Sequence, residues 1–289
     1  MPDSEADLSQ RFLLPTQDLR GEIVRLERSL QEIYSRHAYS DAARVLLGQF
    51  AAAVVLISNN LKYRGRIILQ GRSSGSLSLV MVECDHERHI RGVAQGDVLA
   101  NPADPLALLQ DGQLVLTIER DGGQRYQGIV SLEGPTLADA LGDYFAQSEQ
   151  LGSHFWLGCD GQQATGLMLQ QLPPEQRTDA QERAEAWLEA VSLLDTLTLT
   201  EAMTETTETL IWRLFHQHDI TPFASQSVQF RCSCSEQRSL DALGLLGAEE
   251  VATLVDEQGH VEMRCEMCGN CYIFAPEELP ALAERRILH

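Results

Sequence analysis

Two pairs of cysteines are the residues of this chain whose type and spacing could do chemistry. They stand as Cys232-x-Cys234 within R-C-S-C-S and as Cys265-x-x-Cys268 within R-C-E-M-C-G-N-C-Y-I-F, with Cys271 close behind. Folding that brings the pairs together gives four thiolates, the ligand set of a closed tetrahedral zinc site. Thiolate is a soft ligand, so such a quartet selects zinc or an iron–sulfur cluster over magnesium or calcium. Gly269 suits a knuckle, where the backbone turns sharply and amides approach sulfur. A set of buried structural cysteines does not account for the pairing. The C-x-C spacing is unusual, because its disulfide closes a tight and strained ring. That fits a site that switches.

The elements that must position these cysteines are bounded by composition. The chain has 289 residues and a net charge of −20, with length for one large domain or two smaller ones. The acidity argues against a general affinity for nucleic acid or anionic membrane, which needs clustered Lys and Arg. No secretion signal is expected, and an odd cysteine count in clustered pairs fits a reducing cytoplasm. The uncharged stretch 45–61 carries Gln49, Ser58, Asn59 and Asn60, and reads as a buried core helix and not a membrane span. The single lysine, Lys62, lies in N-N-L-K-Y-R-G. That context supplies neither the lysine of a phosphate-binding P-loop nor that of a pyridoxal Schiff base.

Residues 1–15 are polar around a short apolar patch, Phe12-Leu13-Leu14, and 19–30 mixes alternation with helical spacing. Ser40 and Asp41 cap a core helix over 42–57. Strands are expected at 66–70 and 77–83, joined by Gly71-Arg72-Ser73-Ser74-Gly75. Those five residues match G-x-S-x-G, but that motif needs a helix after it, and strict alternation follows here. A hairpin loop is the reading, with no serine nucleophile. Hairpins are also expected around Asp121-Gly122-Gly123 and Asp160-Gly161, with a helix from Thr136 between them. Cys84 and Cys159 read as small buried hydrophobes. His86 and His89 read as loop residues with no third ligand near, and His216 and His218 as a helix end.

After Leu172-Pro173-Pro174 the character changes to Thr- and Glu-rich helical pattern. Thr198 with Glu201 makes a capping box, and Leu210, Ile211, Leu214 and Phe215 an apolar stripe. The expected fold class is α+β. A mixed strand and helix core domain (1–174) leads through a thinly stabilised helical linker (175–231) to a small carboxyl-terminal zinc-binding domain (232–289). At about sixty residues the last part is of a size that often needs a metal for stability.

The sequence resembles the 33 kDa chaperonin family, redox-regulated bacterial heat-shock chaperones. F-R-C-S-C-S at 230–235 and C-x-x-C-G-N at 265–270 carry the resemblance, with Tyr126-Gln-Gly-Ile-Val130, Tyr144-Phe-x-x-Ser-Glu-Gln150 and Arg213-Leu-Phe-His216. The resemblance implies an ATP-independent holdase and no enzyme, off when reduced and zinc-bound and on when oxidised. It implies a homodimer when activated and unfolded or partly unfolded client proteins as partners. It implies Cys232, Cys234, Cys265 and Cys268 as zinc ligands, pairing on oxidation as Cys232–Cys234 and Cys265–Cys268. Clients would meet apolar surface uncovered as the linker loosens.

Cys271 departs from that pattern. A closed zinc site takes four ligands, and the strand pattern from Tyr272 is expected to carry this fifth cysteine away. Either it is a resolving thiol in the oxidised state or it is buried and inert. Two other functions use the same cysteines. A zinc-ribbon regulatory or nucleic-acid-binding module needs a basic stripe, and residues 232–289 carry few arginines among many carboxylates. A thiol-disulfide oxidoreductase needs a strand before its C-x-x-C and a helix after it, whereas Tyr272-Ile273-Phe274 reads as strand.

Overall fold

In a computed structural model, residues 6–59, 64–123, 125–132, 134–148, 151–246 and 248–279 are described. Lys62 lies outside the described residues. The chain forms two units, Met1–Arg231 and Cys232–His289. The first begins with β1 (Leu8–Leu14), β2 (Leu19–Leu26), α1 (Arg28–Tyr34), α2 (Asp41–Ser58), β3 (Gly65–Arg72), β4 (Leu77–Asp85) and β5 (His89–Gly96). It continues with β6 (Gln113–Arg120), β7 (Arg125–Ser131), α3 (Leu137–Ser148), β8 (Ser153–Cys159) and β9 (Ala164–Gln171). Then come α4 (Ala180–Leu194), α5 (Leu199–Thr204), α6 (Thr207–Phe215) and the two-residue strands β10 (Thr221–Pro222), β11 (Gln226–Ser227) and β12 (Gln229–Phe230).

Helix α2 is the core around which two sheets close. Ser40 starts it by accepting the Ala43 amide on its hydroxyl. Its residues Leu46, Phe50, Val54 and Leu56 are fully buried, which explains why a sequence apolar enough for a membrane packs here inside protein. One sheet runs β10-β1-β2-β9-β8, with β11 also on β1. The other runs β12-β5-β4-β3-β6-β7, antiparallel except where β12 joins β5 in parallel. Alternation assigns the faces: Val24 and Met168 point toward α2, while Ile23, Leu167 and Leu169 point away.

That outward face does not meet water. Phe12, Leu14, Leu19, Ile23, Leu167 and Leu169 pack against Ala190, Leu194, Met203, Leu210, Ile211 and Phe215 of the linker helices. Phe12 and Phe215 stack with ring centroids 5.6 Å apart, and Phe12 lies directly over Gly21, where a Cβ would strike the ring. The capping box of Thr198 and Glu201 starts α5, as its spacing predicts.

Several expectations need correction. The polar start is strand β1, hidden because the buried residue on its face opposite Phe12 and Leu14 is Ser9, and 19–30 is a strand followed by a helix. His89 opens strand β5 and is not a loop residue. Residues 221–230 are not helical, since β10, β11 and β12 extend the core sheets. The segment 175–215 is helical, but its helices share a buried apolar cluster with the sheet.

The second unit holds α7 (Glu236–Leu243), α8 (Ala248–Gln258), β13 (Val261–Arg264) and β14 (Cys271–Phe274). Its buried cluster is Leu243, Val251, Val261, Phe274 and Leu279. So small a core is marginal by itself.

Candidate metal centre

The C-x-C pair sits at the entrance to α7. Ser235 caps that helix through the Arg238 amide, and the Arg238 guanidinium donates back to the Ser233 carbonyl at 2.7 Å and hydroxyl at 2.8 Å. The residue between the two cysteines is thereby fixed. The C-x-x-C pair occupies the turn of the β13–β14 hairpin. There the Cys265 amide donates to the Asn270 carbonyl at 2.8 Å and the Gly269 amide to the Cys265 carbonyl at 2.7 Å. Gly269 has φ 71°, a left-handed position that favours glycine, so the knuckle expected at this residue is built.

The two turns bring Cys232, Cys234, Cys265 and Cys268 together, with all four sulfurs within 4.8 Å of one another. The Sγ–Sγ distance is 3.7 Å for Cys232 and Cys265 and 3.3 Å for Cys234 and Cys268. A tetrahedron with zinc–thiolate bonds of ~2.3 Å has edges of about 3.8 Å, so the cluster has the size of that site. Further donors face the sulfurs. The Met267 and Cys268 amides turn to Cys265, the Asn270 amide to Cys268, and the Tyr272 hydroxyl donates to Cys234 at 3.1 Å.

Burial raises the Cys265 thiol above its ordinary value despite two amides that favour the thiolate. Burial also pushes Cys268 far up, and the three neighbouring sulfurs push the same way. Four clustered thiols resist ionising together, and a cation placed among them reverses that sign. The cluster could hold a metal ion, and its soft donors suit zinc.

The comparisons agree with this geometry. The family model described as Hsp33 protein matches residues 7–275. A 33 kDa chaperonin of Ectopseudomonas mendocina (strain ymp) is 45% identical over 279 residues, 96% of this chain and 95% of that protein. Another, of Pseudomonas syringae pv. tomato, is 44% identical over 281 residues, 96% of this chain and 94% of that one. The chain belongs to the Hsp33 family. A crystal structure of the Thermotoga maritima Hsp33 homologue superposes with a TM-score of 0.83 over 98% of this chain and 100% of that one. At 23% identity, that match shows a shared fold. Family membership supports a chaperone role.

In this member of the Hsp33 family, Cys271 lies outside the sulfur cluster, exposed on β14. The expectation that it is either resolving or buried loses its second branch. Its thiol meets the Glu262 carboxylate, which raises its pKa and keeps it protonated. Cys84 and Cys159 are buried, and burial pushes them up to about 12 and about 11. Both are poor nucleophiles. Ser73 of the G-x-S-x-G match is tied into its hairpin, donating to the Leu77 carbonyl at 2.7 Å and accepting the Gly75 amide.

The sequence reading missed one grouping. Ligand atoms of Asp85, Glu87 and His89 lie within 4.8 Å of one another. Asp85 accepts the amides of Glu87 and His89, which is the bonding of a turn, and its other oxygen meets His89 Nδ1 at 3.0 Å. The partners are visible in D-H-E-R-H only once a tight β4–β5 turn is assumed. His216 caps the end of α6, as expected of a helix end.

Proposed function

We propose that this Hsp33 chain is a cytoplasmic, redox-regulated, ATP-independent holdase that binds unfolding proteins, and that it is not an enzyme. In this reading residues 1–174 are the core domain, 175–231 the linker and 232–289 the redox switch. The observation that carries it is the gathering of four sulfurs within 4.8 Å in a unit whose buried apolar cluster is so small. Zinc bound by Cys232, Cys234, Cys265 and Cys268 would neutralise thiolate charge and contribute about 10–16 kcal/mol of apparent binding free energy coupled to folding.

Oxidation removes the ligands. Each thiol pair gives two electrons to hydrogen peroxide: the two S–H bonds and the O–O bond break, the S–S bond forms, and the two protons leave with the peroxide oxygens as two waters. The printed close sulfur contacts run across the two pairs, Cys232 to Cys265 and Cys234 to Cys268, and pairing as Cys232–Cys234 and Cys265–Cys268 is what the family resemblance implies.

Residue 231 joins the unit to a strand, because the Arg231 amide donates to the Ile90 carbonyl and β12 lies on β5. Loss of order beyond Arg231 would free this edge, then the linker helices, and uncover Phe12, Leu14, Leu19, Ile23, Leu167 and Leu169. Six such side chains bury roughly 1.5–3 kcal/mol each when covered, a surface suited to unfolding clients or to a second activated copy. The test is metal analysis with disulfide mapping. One zinc per reduced chain is expected, lost in a Cys232→Ser, Cys265→Ser variant; undiminished zinc in that variant would refute the ligand set.

A further inference from the structure

Asp18 follows the 3₁₀ turn Pro15–Gln17 between β1 and β2, with φ 52° in the left-handed region that Asp and Asn tolerate. It is only 4% exposed. Its carboxylate faces the start of the linker and accepts three consecutive amides, of Glu175 at 3.1 Å, Gln176 at 3.0 Å and Arg177 at 2.8 Å. From α4, Arg183 reaches the same carboxylate at 3.4 Å and donates to the Leu172 carbonyl at 2.9 Å. The backbone completes the joint: the Leu172 amide donates to the Asp18 carbonyl at 2.8 Å, and Arg177 Nε to the Thr16 carbonyl at 2.9 Å.

This joint differs in kind from those further along the linker. There, core side chains reach linker groups one or two at a time, as Trp156 holds the Leu197 carbonyl, Thr165 that of Ala202 and Arg25 those of Met203 and Glu205, while His154 meets the exposed Asp195 carboxylate at 2.7 Å. At Asp18 one buried charge sits in a ring of backbone N–H groups, the arrangement that binds anions in backbone nests. Charge-assisted bonds of this type are the strong ones. Burial alone would raise the Asp18 pKa, but the three amides and Arg183 outweigh it and hold the carboxyl below its usual range. Its partners are at 172–183, at the end of the linker furthest in sequence from the cysteines.

We propose that Asp18 is a second latch on the linker, a positioning residue that holds 175–183 on the core independently of the metal centre. The proposal rests on the reading that linker release activates the chaperone. It adds that the linker is held at both ends, so that freeing the cysteine end leaves the amino-terminal end anchored. Removing Asp18 opens the linker from its start with the metal still bound.

The test is Asp18→Asn in the full-length, reduced, zinc-loaded chain, followed by hydrogen exchange with mass spectrometry. Asparagine keeps the shape, removes the charge and turns an NH2 toward the amide donors. Peptides in 172–183 should exchange about tenfold faster or more, because charge-assisted bonds are lost. Helix α2, the 261–274 hairpin and the zinc content should match the parent, and aggregation suppression should appear without oxidant. Should the variant loosen α2 as well, Arg183→Gln, which leaves Asp18 in place, should speed exchange in the same peptides. Parent-like exchange at 172–183 in Asp18→Asn, or in Arg183→Gln where the first unfolds the core, overturns the latch. Faster exchange there without any gain in suppression supports the latch and counts against activation by linker release.

Discussion

Replacing Phe215 by alanine should release the linker without touching a cysteine. Phe215 is fully buried at the end of α6 and stacks on Phe12 of β1. Both belong to the cluster between sheet and linker, not to the one around α2. Truncating a buried phenylalanine costs about 3–5 kcal/mol, and here the cost falls on the docking of the linker helices. At about 1.4 kcal/mol per tenfold, that is a rise in linker opening of about 10²-fold to several thousand-fold. Hydrogen exchange of the reduced, zinc-loaded variant should show it over 199–215, with α2 protected as in the parent. Zinc content should be unchanged, and aggregation of a heat-denatured test protein should fall without oxidant. Parent-like protection at 199–215 would refute the reasoning. So would equal loss of protection in α2, because the linker would then not open separately from the core.

Further outcomes follow from the same geometry. Stripping metal from the reduced protein with a chelator should abolish exchange protection within 232–279 while leaving α2 protected; a hairpin protected without metal would contradict metal-coupled folding. In the folded chain at pH 8, Cys84 and Cys159 should resist iodoacetamide, since burial holds their thiols at about 12 and about 11. Glu262→Gln should speed labelling of exposed Cys271 by removing the carboxylate that keeps it protonated, and Cys271→Ser should leave zinc content intact. Asp18 gives a pH dependence whose sign follows from its lowered pKa. Its contribution is present above the ordinary value of 3.8 and lost as pH falls through the lower folded value, with Arg183 facing it as a permanent cation. Protection at 172–183, corrected for intrinsic rates, should therefore hold from about pH 8 to 5 and decline below about pH 4, a dependence absent from Asp18→Asn.

The cysteine pairs are legible in the sequence because metal ligation imposes short spacings, and Gly269 marks the turn that delivers amides to sulfur. The hairpins at Asp121-Gly122-Gly123 and Asp160-Gly161 and the cap of α2 at Ser40 are legible for the same reason: their causes are local. Strand β1 is not, because its α2-side face carries Ser9, which with Asn59 bonds the buried Glu22 and so breaks the apolar alternation. Strands β10 to β12 are two residues long and pair with β1 and β5 far away in the chain, so no window of sequence reports them. Asp18 is hidden in the same way. Nothing in P-T-Q-D-L-R says that its partners are the amides of 175–177.

The account stands most directly on zinc release and client protection followed together. The reduced, zinc-loaded protein would be oxidised with hydrogen peroxide, with released zinc read by a chelating dye and aggregation of a heat-denatured test protein by light scattering. The account predicts one zinc released per chain, with suppression of aggregation rising in step and reversing when thiols and zinc are restored. Equal suppression by the reduced, zinc-loaded protein, or none after complete zinc release, would contradict it.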